Sequence, residues 1–276
     1  MDVILLYQEE GILPKTEKEN MKMSRYAEFN DERTYGVEIE FLPGSHTRET
    51  IAQALRDAGI NAYSESYNHT TKNHWKLITD ASCGNELVSP VLKGHEGLEE
   101  IKKVCAVLNR LGCRVNKSCG LHVHHYAGDL TVKNFRNLYI SYAKYEGLID
   151  TLQPISRRGN NNRYCRSLIT YGYDNLVARL DKCKTIDDIR NIFGTRYMKL
   201  NIESYVKYGT IEFRQAAGTT DADKIINWIM FTQLMVERSK FSIVAKIERD
   251  YDHLGCLYNM LGIVRKATCS DEMFEM

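Results

Sequence analysis

Three short segments of the sequence alternate charged or imidazole side chains with apolar ones. In the first, YGVEIEF at 35–41, Glu38 and Glu40 alternate with Val37 and Ile39. Successive side chains of a β-strand point to opposite faces, so the two carboxylates would share one face. Neighbouring carboxylates repel unless a cation lies between them, and a hard divalent ion such as Mg²⁺ suits that geometry. An isolated pair of this kind is nevertheless more typical of a strand with one face in water.

The second segment, CGLHVHH at 119–125, carries three histidines. His122 and His124 would project from one strand face, while His125 would lie on the opposite face as a structural residue. Pairs of imidazoles on one face present metal ligands or donors to an anion. Two histidines in register on an otherwise apolar strand therefore favour a functional role over simple packing.

The third segment, TIEFRQ at 210–215, places Glu212 and Arg214 on one face. The carboxylate suits a cation, and the planar guanidinium suits phosphate or carboxylate. A solvated ion pair would explain this motif equally well. Glu86 follows the turn-forming DASCG at 80–84 and begins an apolar strand, which places another carboxylate where strand and loop meet.

A basic, Asn-rich loop at 156–164 contains Arg157 and Arg158. It reads either as a mobile surface excursion or as a loop that closes over a polyphosphate and supplies positive charge. Together, the four strand motifs and this loop describe a sheet with one charged, concave face. Burying such a face without cations would be costly, and metal ions with phosphate oxygens would remove that cost.

The elements that must position these residues alternate along the chain and predict an α+β fold. We expect short strands in a mainly antiparallel sheet, with helices packed on one face. The predicted strands are 35–41, 75–79, 85–88, 121–126, 198–204 and 210–215. The predicted helices are 48–58, 98–111, 132–152, 186–193 and 221–247.

The composition excludes several classes of protein. The 276 residues carry 37 Lys and Arg against 36 Asp and Glu, a formal net charge of +1 that gives no general attraction to nucleic acid. We find no apolar stretch of the roughly 18 residues that span a bilayer, and the short, acidic start of the sequence leads us to expect no export. The eight cysteines form no C-x-x-C pair, so we expect reduced thiols and a cytoplasmic protein.

The order of motifs resembles that of the amidoligase family, within the carboxylate–amine ligase superfamily that includes glutamine synthetase and glutamate–cysteine ligase. The matching motifs are YGVEIEF, DASCGNELVSP, CGLHVHH and TIEFRQAAGT, and the resemblance covers about residues 33 to 240. It implies a curved, open half-barrel sheet that binds ATP and Mg²⁺ or Mn²⁺ on its concave face. It also implies that ATP phosphorylates a carboxylate and that an amine then attacks the acyl phosphate.

Carried onto this chain, the resemblance implies a role for each matching residue. His122 would bind metal while His124 faces a nucleotide phosphate, and Arg214 would stabilise the transferring phosphoryl group with Glu40 and Glu212 beside it as catalytic residues. Arg157, Arg158 and Tyr164 match a loop that covers the nucleotide or substrate, and Asn116 and Ser118 are candidates for substrate binding. Arg196, Tyr197 and Asn201 resemble a family strand, with Tyr197 and Asn201 better explained as core or ladder residues. The implied metal ligands are Glu38, Glu40, Glu86, His122 and Glu212.

The domain division that follows has three parts: an N-terminal extension at 1–33 with one candidate strand at 3–7, a catalytic domain at 34–250, and a helical tail at 251–276 packed on the domain. Three other functions compete with the ligase. A metal-dependent hydrolase would use the same ligands without ATP, an inactive relative would bind nucleotide without turnover, and a nucleic-acid binder would need a basic stripe. The sequence does not identify the carboxylate, the amine or the oligomeric state.

Overall fold

The computed structural model describes residues 29–80, 83–241 and Leu257, and within them the chain forms one seven-stranded sheet and seven α-helices. The strands are β1 (Tyr35–Phe41), β2 (Ala62–Ser64), β3 (Trp75–Ile78), β4 (Asn85–Val88), β5 (Leu121–Tyr126), β6 (Leu200–Asn201) and β7 (Thr210–Phe213). The helices are α1 (Arg48–Asp57), α2 (Gly94–Arg110), α3 (Val132–Thr151), α4 (Tyr173–Leu180), α5 (Ile186–Phe193), α6 (Glu203–Tyr208) and α7 (Ala222–Ser239).

The sheet is open and mainly antiparallel. Its strand order is β2-β3-β4-β1-β5-β7-β6. Strand β1 is therefore central, and the two edge strands, β2 and β6, do not pair with each other. All neighbouring strands are antiparallel except β2 and β3, which are parallel. The α+β class and the mainly antiparallel sheet are therefore confirmed.

Strand alternation gives the sheet one apolar face and one charged face. Val37, Ile39 and Phe41 of β1 are almost completely buried and join a core with side chains of α1, α2, α3 and α7. Burial of each such side chain stabilises the fold by about 1.5–3 kcal/mol, which fixes the register because a one-residue slip would expose the whole set. Four helices consequently cover the apolar face, as predicted: α1, α2, α3 and α7.

The same register brings the charged residues of four strands side by side on the opposite face. Directly opposed residues of antiparallel strands hold their Cβ atoms about 4.5–5.5 Å apart, close enough for their side chains to touch. The opposed pairs are Glu38 with His122, Glu40 with Glu86, His124 with Glu212 and Asn201 with Glu212.

The predicted strand at 198–204 is wrong over most of its length. Only Leu200–Asn201 pair with β7, and the chain then turns into α6, which borders the charged face. Local hydrogen bonds explain the change, because Asn201 Oδ1 accepts from the Glu203 amide (2.9 Å) and Ser204 Oγ donates to the Thr210 carbonyl (2.7 Å). Gly209, in the left-handed conformation with φ 67°, ends the helix.

Helix α2 begins at Gly94, four residues before its predicted start at Leu98. The glycines at 94 and 97 obscured this first turn in the sequence. Gly97 is needed there, because a Cβ at this position would lie 2.5 Å from the Tyr35 hydroxyl. Strand β2 and helix α4 were not predicted. The predicted strand at 3–7, the helix beyond residue 241 and the C-terminal tail other than Leu257 lie outside the described residues, so the domain limits remain predictions.

A buried ionic network connects the edge of the sheet to α3. Lys199 is fully buried, and its Nζ lies 2.9 Å from Glu146 Oε1 and 2.5 Å from Asp150 Oδ1. The second oxygens of these carboxylates accept from the backbone amides of Leu168 (2.9 Å) and Gly159 (2.8 Å). The network therefore fixes both the sheet edge and the segment that follows α3.

We expect Lys199→Met to lower the free energy of unfolding by about 3–5 kcal/mol, since it leaves the buried Glu146 and the half-buried Asp150 without their cation. Urea unfolding monitored by circular dichroism measures the change. Lys102→Met is the matched control: its exposed pair with Glu99 is worth about 0–1 kcal/mol. Equal effects of the two substitutions would show that the buried network stabilises the fold no more than an exposed ion pair does.

Candidate active site

The charged face lines a cavity of about 640 Å³. Its floor is formed by β1, β4, β5 and β7, and its walls include α6 and the loop at 156–164. We call the carboxylates and imidazoles on the floor the carboxylate–histidine cluster. Its members are Glu38, Glu40, Glu86, His122, His124 and Glu212.

Glu38 is the hub of this cluster. Its Oε2 lies 2.8 Å from His122 Nδ1, and its Oε1 lies 3.4 Å from His124 Nε2. Glu212 Oε1 approaches the same two imidazoles, at 3.6 Å from His122 Nδ1 and 3.8 Å from His124 Nε2. Two carboxylates and two imidazoles from three strands thus share one small volume.

Glu40 lies at the other end of the cluster, against the start of β5. Its Oε2 accepts a hydrogen bond from the Gly120 amide (2.6 Å), and its Oε1 is 3.7 Å from His122 Nε2. Gly120 permits this approach because an added Cβ would meet His122 Nε2 at 3.0 Å and the Arg157 guanidinium at 3.1 Å. The CG dipeptide before the histidine motif is therefore part of the site's geometry.

Arg214 supplies the positive charge on β7's side of the cavity. Its guanidinium forms an ion pair with Glu212, and its Nε donates to the Tyr164 carbonyl (3.2 Å). Asn201 Nδ2 donates to Glu212 Oε2 (2.6 Å), so Asn201 orients the carboxylate as well as belonging to β6. The sequence favoured only a structural role for Asn201, because the cross-strand contact depends on the register of a two-residue strand.

The basic loop contributes one of its two predicted arginines to the cavity. Arg157 is 3 % exposed, lines the cavity and donates to the carbonyls of Ser118 (3.4 Å) and Cys119. Arg158 is not among the lining residues, and its Nε donates instead to the Gln153 carbonyl (2.7 Å). The geometry thus gives the nucleotide-binding role predicted for Arg158 no support.

The remaining predicted residues lie in the cavity, in an exposed turn or in the core. Ser118, Tyr164, Arg196 and Tyr197 line the cavity, whereas Asn116 does not and instead closes a turn by accepting from the Ser118 amide (2.8 Å). His125 lies on the opposite face, as predicted, and is fully buried with its Nε2 2.8 Å from Thr232 Oγ1.

The sequence reasoning missed several residues that line the cavity, among them Tyr67, His69 and Lys207. Tyr67 and His69 belong to the segment between β2 and β3, and Lys207 belongs to the unpredicted helix α6. Each is a single residue outside an alternating strand, so no periodic signal marked it.

The cluster's electrostatics separate its carboxylates into two kinds. Burial alone would raise the pKa of Glu38, but hydrogen bonds and charge from His122 and His124 hold that pKa well below its usual range. Glu212 behaves similarly: Arg214 and His124 outweigh burial and lower its pKa. Both groups are therefore ionised acceptors at neutral pH.

Glu86 shows the opposite shift. Burial, followed by the charges of Glu38, Glu40 and Asp80, raises the pKa of Glu86 well above its usual range. The folded protein consequently retains a proton on Glu86 at pH values where the unfolded chain has lost it. Stability must then fall as pH rises from the unfolded-state pKa through the folded-state pKa.

We therefore expect Glu86→Gln to raise the free energy of unfolding at neutral pH without divalent metal, by roughly 1–3 kcal/mol, because it removes a poorly solvated carboxylate from among like charges. The gain should vanish near pH 4, where the wild-type side chain is protonated in both states. Thermal unfolding across this pH range measures it, with the exposed Glu99→Gln as control. A gain that does not change with pH would contradict the assignment.

The donor set fits divalent metal ions. Two groups, Glu38 with Glu86 and His122, and Glu38 with His124 and Glu212, each hold their ligating atoms within 4.8 Å of one another. Carboxylate oxygens with one imidazole suit Mg²⁺ or Mn²⁺, and a bound cation would relieve the repulsion that raises the pKa of Glu86.

The fold and this cavity define a class: an α+β protein whose open antiparallel sheet gathers carboxylates, histidines and arginine on one face. A family described as "Putative amidoligase enzyme" matches residues 31–236. The chain belongs to this family, as the motif order predicted. No curated protein matches the sequence.

Two solved structures match the chain at low similarity. Glutamine synthetase of Plasmodium falciparum is 12 % identical with a TM-score of 0.38, over 85 % of this chain and 56 % of that one. A glutamine synthase homologue is 13 % identical with a TM-score of 0.38, over 83 % and 60 % respectively. The chain thus spans less than two thirds of either protein. Among the described residues, no helix combines the length and apolar character that crossing a membrane requires.

Proposed function

We propose that this protein is an ATP- and Mg²⁺-dependent ligase that joins a carboxylate to an amine, with an acyl phosphate as the intermediate. Membership of the amidoligase family supports the general class of reaction. The observation that carries the detailed proposal is the convergence of the carboxylate–histidine cluster with Arg214 in one cavity. Phosphoryl transfer requires mainly positioning and neutralisation of charge, which such a set can provide.

The residues of the cluster would divide between metal and phosphate. Glu38, Glu40, Glu86, His122 and Glu212 would hold Mg²⁺ or Mn²⁺, and these ions would offset the charge of the triphosphate. His124 would donate to a phosphate oxygen. Its Nδ1 already pairs with Thr210 Oγ1 (3.1 Å), while its buried Nε2 faces the cluster, 3.4 Å from Glu38 Oε1.

Two arginines would act on the transferred group from different sides. Arg214 is held by Glu212 and by the Tyr164 carbonyl, which leaves its planar donors fixed against the cavity. Arg157 is held by two carbonyls at the start of β5. Fixed donors stabilise charge that develops on the phosphoryl oxygens without reorganising during the reaction.

The reaction needs no nucleophile from the protein. A substrate carboxylate oxygen would attack the γ-phosphorus of ATP and release ADP. The amine nitrogen would then attack the carbonyl carbon, lose a proton and expel phosphate. A carboxylate is unreactive toward amines because oxide is a poor leaving group, and phosphorylation replaces it with phosphate.

A paired screen of carboxylates and amines tests the proposal. ADP and phosphate should appear only when ATP, a divalent ion and both partners are present, and mass spectrometry should show a product lighter than the two partners by one water. Hydrolysis of an amide without ATP would instead indicate a metal-dependent hydrolase. Binding of nucleotide without turnover across the screen would indicate an inactive relative, and either result would contradict the ligase.

A further inference from the structure

A second group of metal-ligating side chains lies at the end of β1, beside the carboxylate–histidine cluster. Cys83 precedes β4, Cys119 precedes β5, and Asp80 follows β3, so the antiparallel sheet brings all three to the same end. Glu40 of β1 lies between them. We call Cys83, Cys119, Asp80 and Glu40 the thiol cluster.

Three members of this group lie close enough to share one ion, and the fourth contacts one of them. The ligating atoms of Glu40, Asp80 and Cys83 lie within 4.8 Å of one another. The fourth member, Cys119, is in side-chain hydrogen-bonding contact with Cys83. All four members are buried or half-buried. The described cysteines are free thiols.

We propose that the thiol cluster is a binding site for Zn²⁺. Two sulfurs and two carboxylate oxygens supply four ligands of the types that zinc binds tetrahedrally, with bond lengths of about 2.3 Å to sulfur and 2.0–2.2 Å to oxygen. Those lengths place the ligating atoms of a tetrahedral site roughly 3.3–3.8 Å apart. Glu40, Asp80 and Cys83 would need only a small contraction, and Cys119, which contacts Cys83, would have to move toward the other two. Thiolates are soft ligands that Mg²⁺ does not favour, which separates this site chemically from the carboxylate–histidine cluster.

A disulfide between the two cysteines fits the fold less well. Cys83 and Cys119 lead into β4 and β5, which flank β1 on opposite sides. Their strands are therefore two spacings apart, roughly 9–10 Å, whereas a disulfide requires Cα atoms about 4.4–6.8 Å apart. A metal ion can span this longer distance because the two sulfurs are joined through two metal–sulfur bonds of about 2.3 Å, whereas a disulfide has one S–S bond of about 2.05 Å.

Metal binding at the thiol cluster would affect the carboxylate–histidine cluster, because Glu40 belongs to both. Zinc bound by the thiol cluster would engage the carboxylate of Glu40, which otherwise faces His122 and the Gly120 amide. The two sites are thus expected to influence each other through this one side chain.

Cobalt titration of the full chain, stripped of metal with a chelator and fully reduced, tests the proposal without nucleotide or substrate. Co²⁺ should produce a thiolate-to-metal charge-transfer band in the near ultraviolet that saturates at one equivalent and is abolished by Zn²⁺. Cys83→Ser and Cys119→Ser should each weaken Zn²⁺ binding at least tenfold and reduce the band. Cys113→Ser, a buried free thiol outside the cluster, should leave both unchanged.

Glu38→Gln provides the second control, because it alters the carboxylate–histidine cluster and spares the thiol cluster. It should retain the charge-transfer band, so failure of the proposed ligase activity and failure of the zinc site remain distinguishable. If Cys119→Ser fails to fold, the half-buried Cys83 still permits the test. Absence of the band in the wild-type protein, or its persistence in Cys83→Ser, would overturn the proposal. A wild-type chain that loses two thiols to a disulfide and binds Co²⁺ no better after reduction would also overturn it.

Discussion

Arg214→Ala should reduce the rate of ADP release by about 10³- to 10⁵-fold at saturating substrates, the effect typical of removing an arginine that stabilises a transferring phosphoryl group. The guanidinium already lies in the cavity, paired with Glu212 and bonded to the Tyr164 carbonyl. The loss should fall mainly on kcat, because the charge it stabilises is greatest in the transition state.

Arg214→Lys separates charge from geometry. Lysine retains the positive charge but not the planar fork, so activity should fall between those of the wild type and Arg214→Ala. Unfolding curves of both variants control for the loss of the ion pair with Glu212. Arg158→Ala is the matched arginine outside the cavity lining and should retain activity. Unchanged kcat in Arg214→Ala would remove this residue from the reaction.

Glu38→Gln should weaken Mg²⁺-dependent binding of a non-hydrolysable ATP analogue by at least about 100-fold, and should lower turnover correspondingly. Glu38 contacts both His122 and His124, and it is the carboxylate that the two candidate metal groups of the cluster share. Mutation of a residue that only hydrogen-bonds to a metal ligand lowers metal affinity roughly 10- to 100-fold. Loss of a ligand that two metal ions share should lower it further.

The measurement is isothermal calorimetry with and without Mg²⁺. Glutamine keeps the size of the side chain, so the fold should survive, and Glu99→Gln on the exposed face of α2 serves as the control. An analogue that binds Glu38→Gln as tightly as the wild type in the presence of Mg²⁺ would show that Glu38 holds no metal that matters for the nucleotide.

Much of the site could be predicted because strand geometry converts spacing into direction. The two-residue period placed Glu38 with Glu40, His122 with His124, and Glu212 with Arg214, and all six line the same cavity. The apolar residues between them, such as Ile39, fixed the register by demanding burial. The sheet could therefore be inferred from the sequence without knowledge of its strand order.

What could not be predicted depends on contacts between distant segments. Arg157 faces the cavity because it donates to carbonyls just before β5, whereas Arg158 donates to the Gln153 carbonyl. No local sequence pattern distinguishes these two arginines. Helix α6 replaced a predicted strand because two side chains, Asn201 and Ser204, bond to nearby backbone. The buried Lys199 looked like any other lysine in sequence.

Anomalous scattering from Mn²⁺ in crystals grown with a non-hydrolysable ATP analogue tests the central claim most directly. The account predicts Mn²⁺ peaks within coordination distance of Glu38, His122 and Glu212, with the triphosphate between these ions and Arg214. Nucleotide bound elsewhere, or Mn²⁺ absent from these three side chains while the analogue is present, would contradict it.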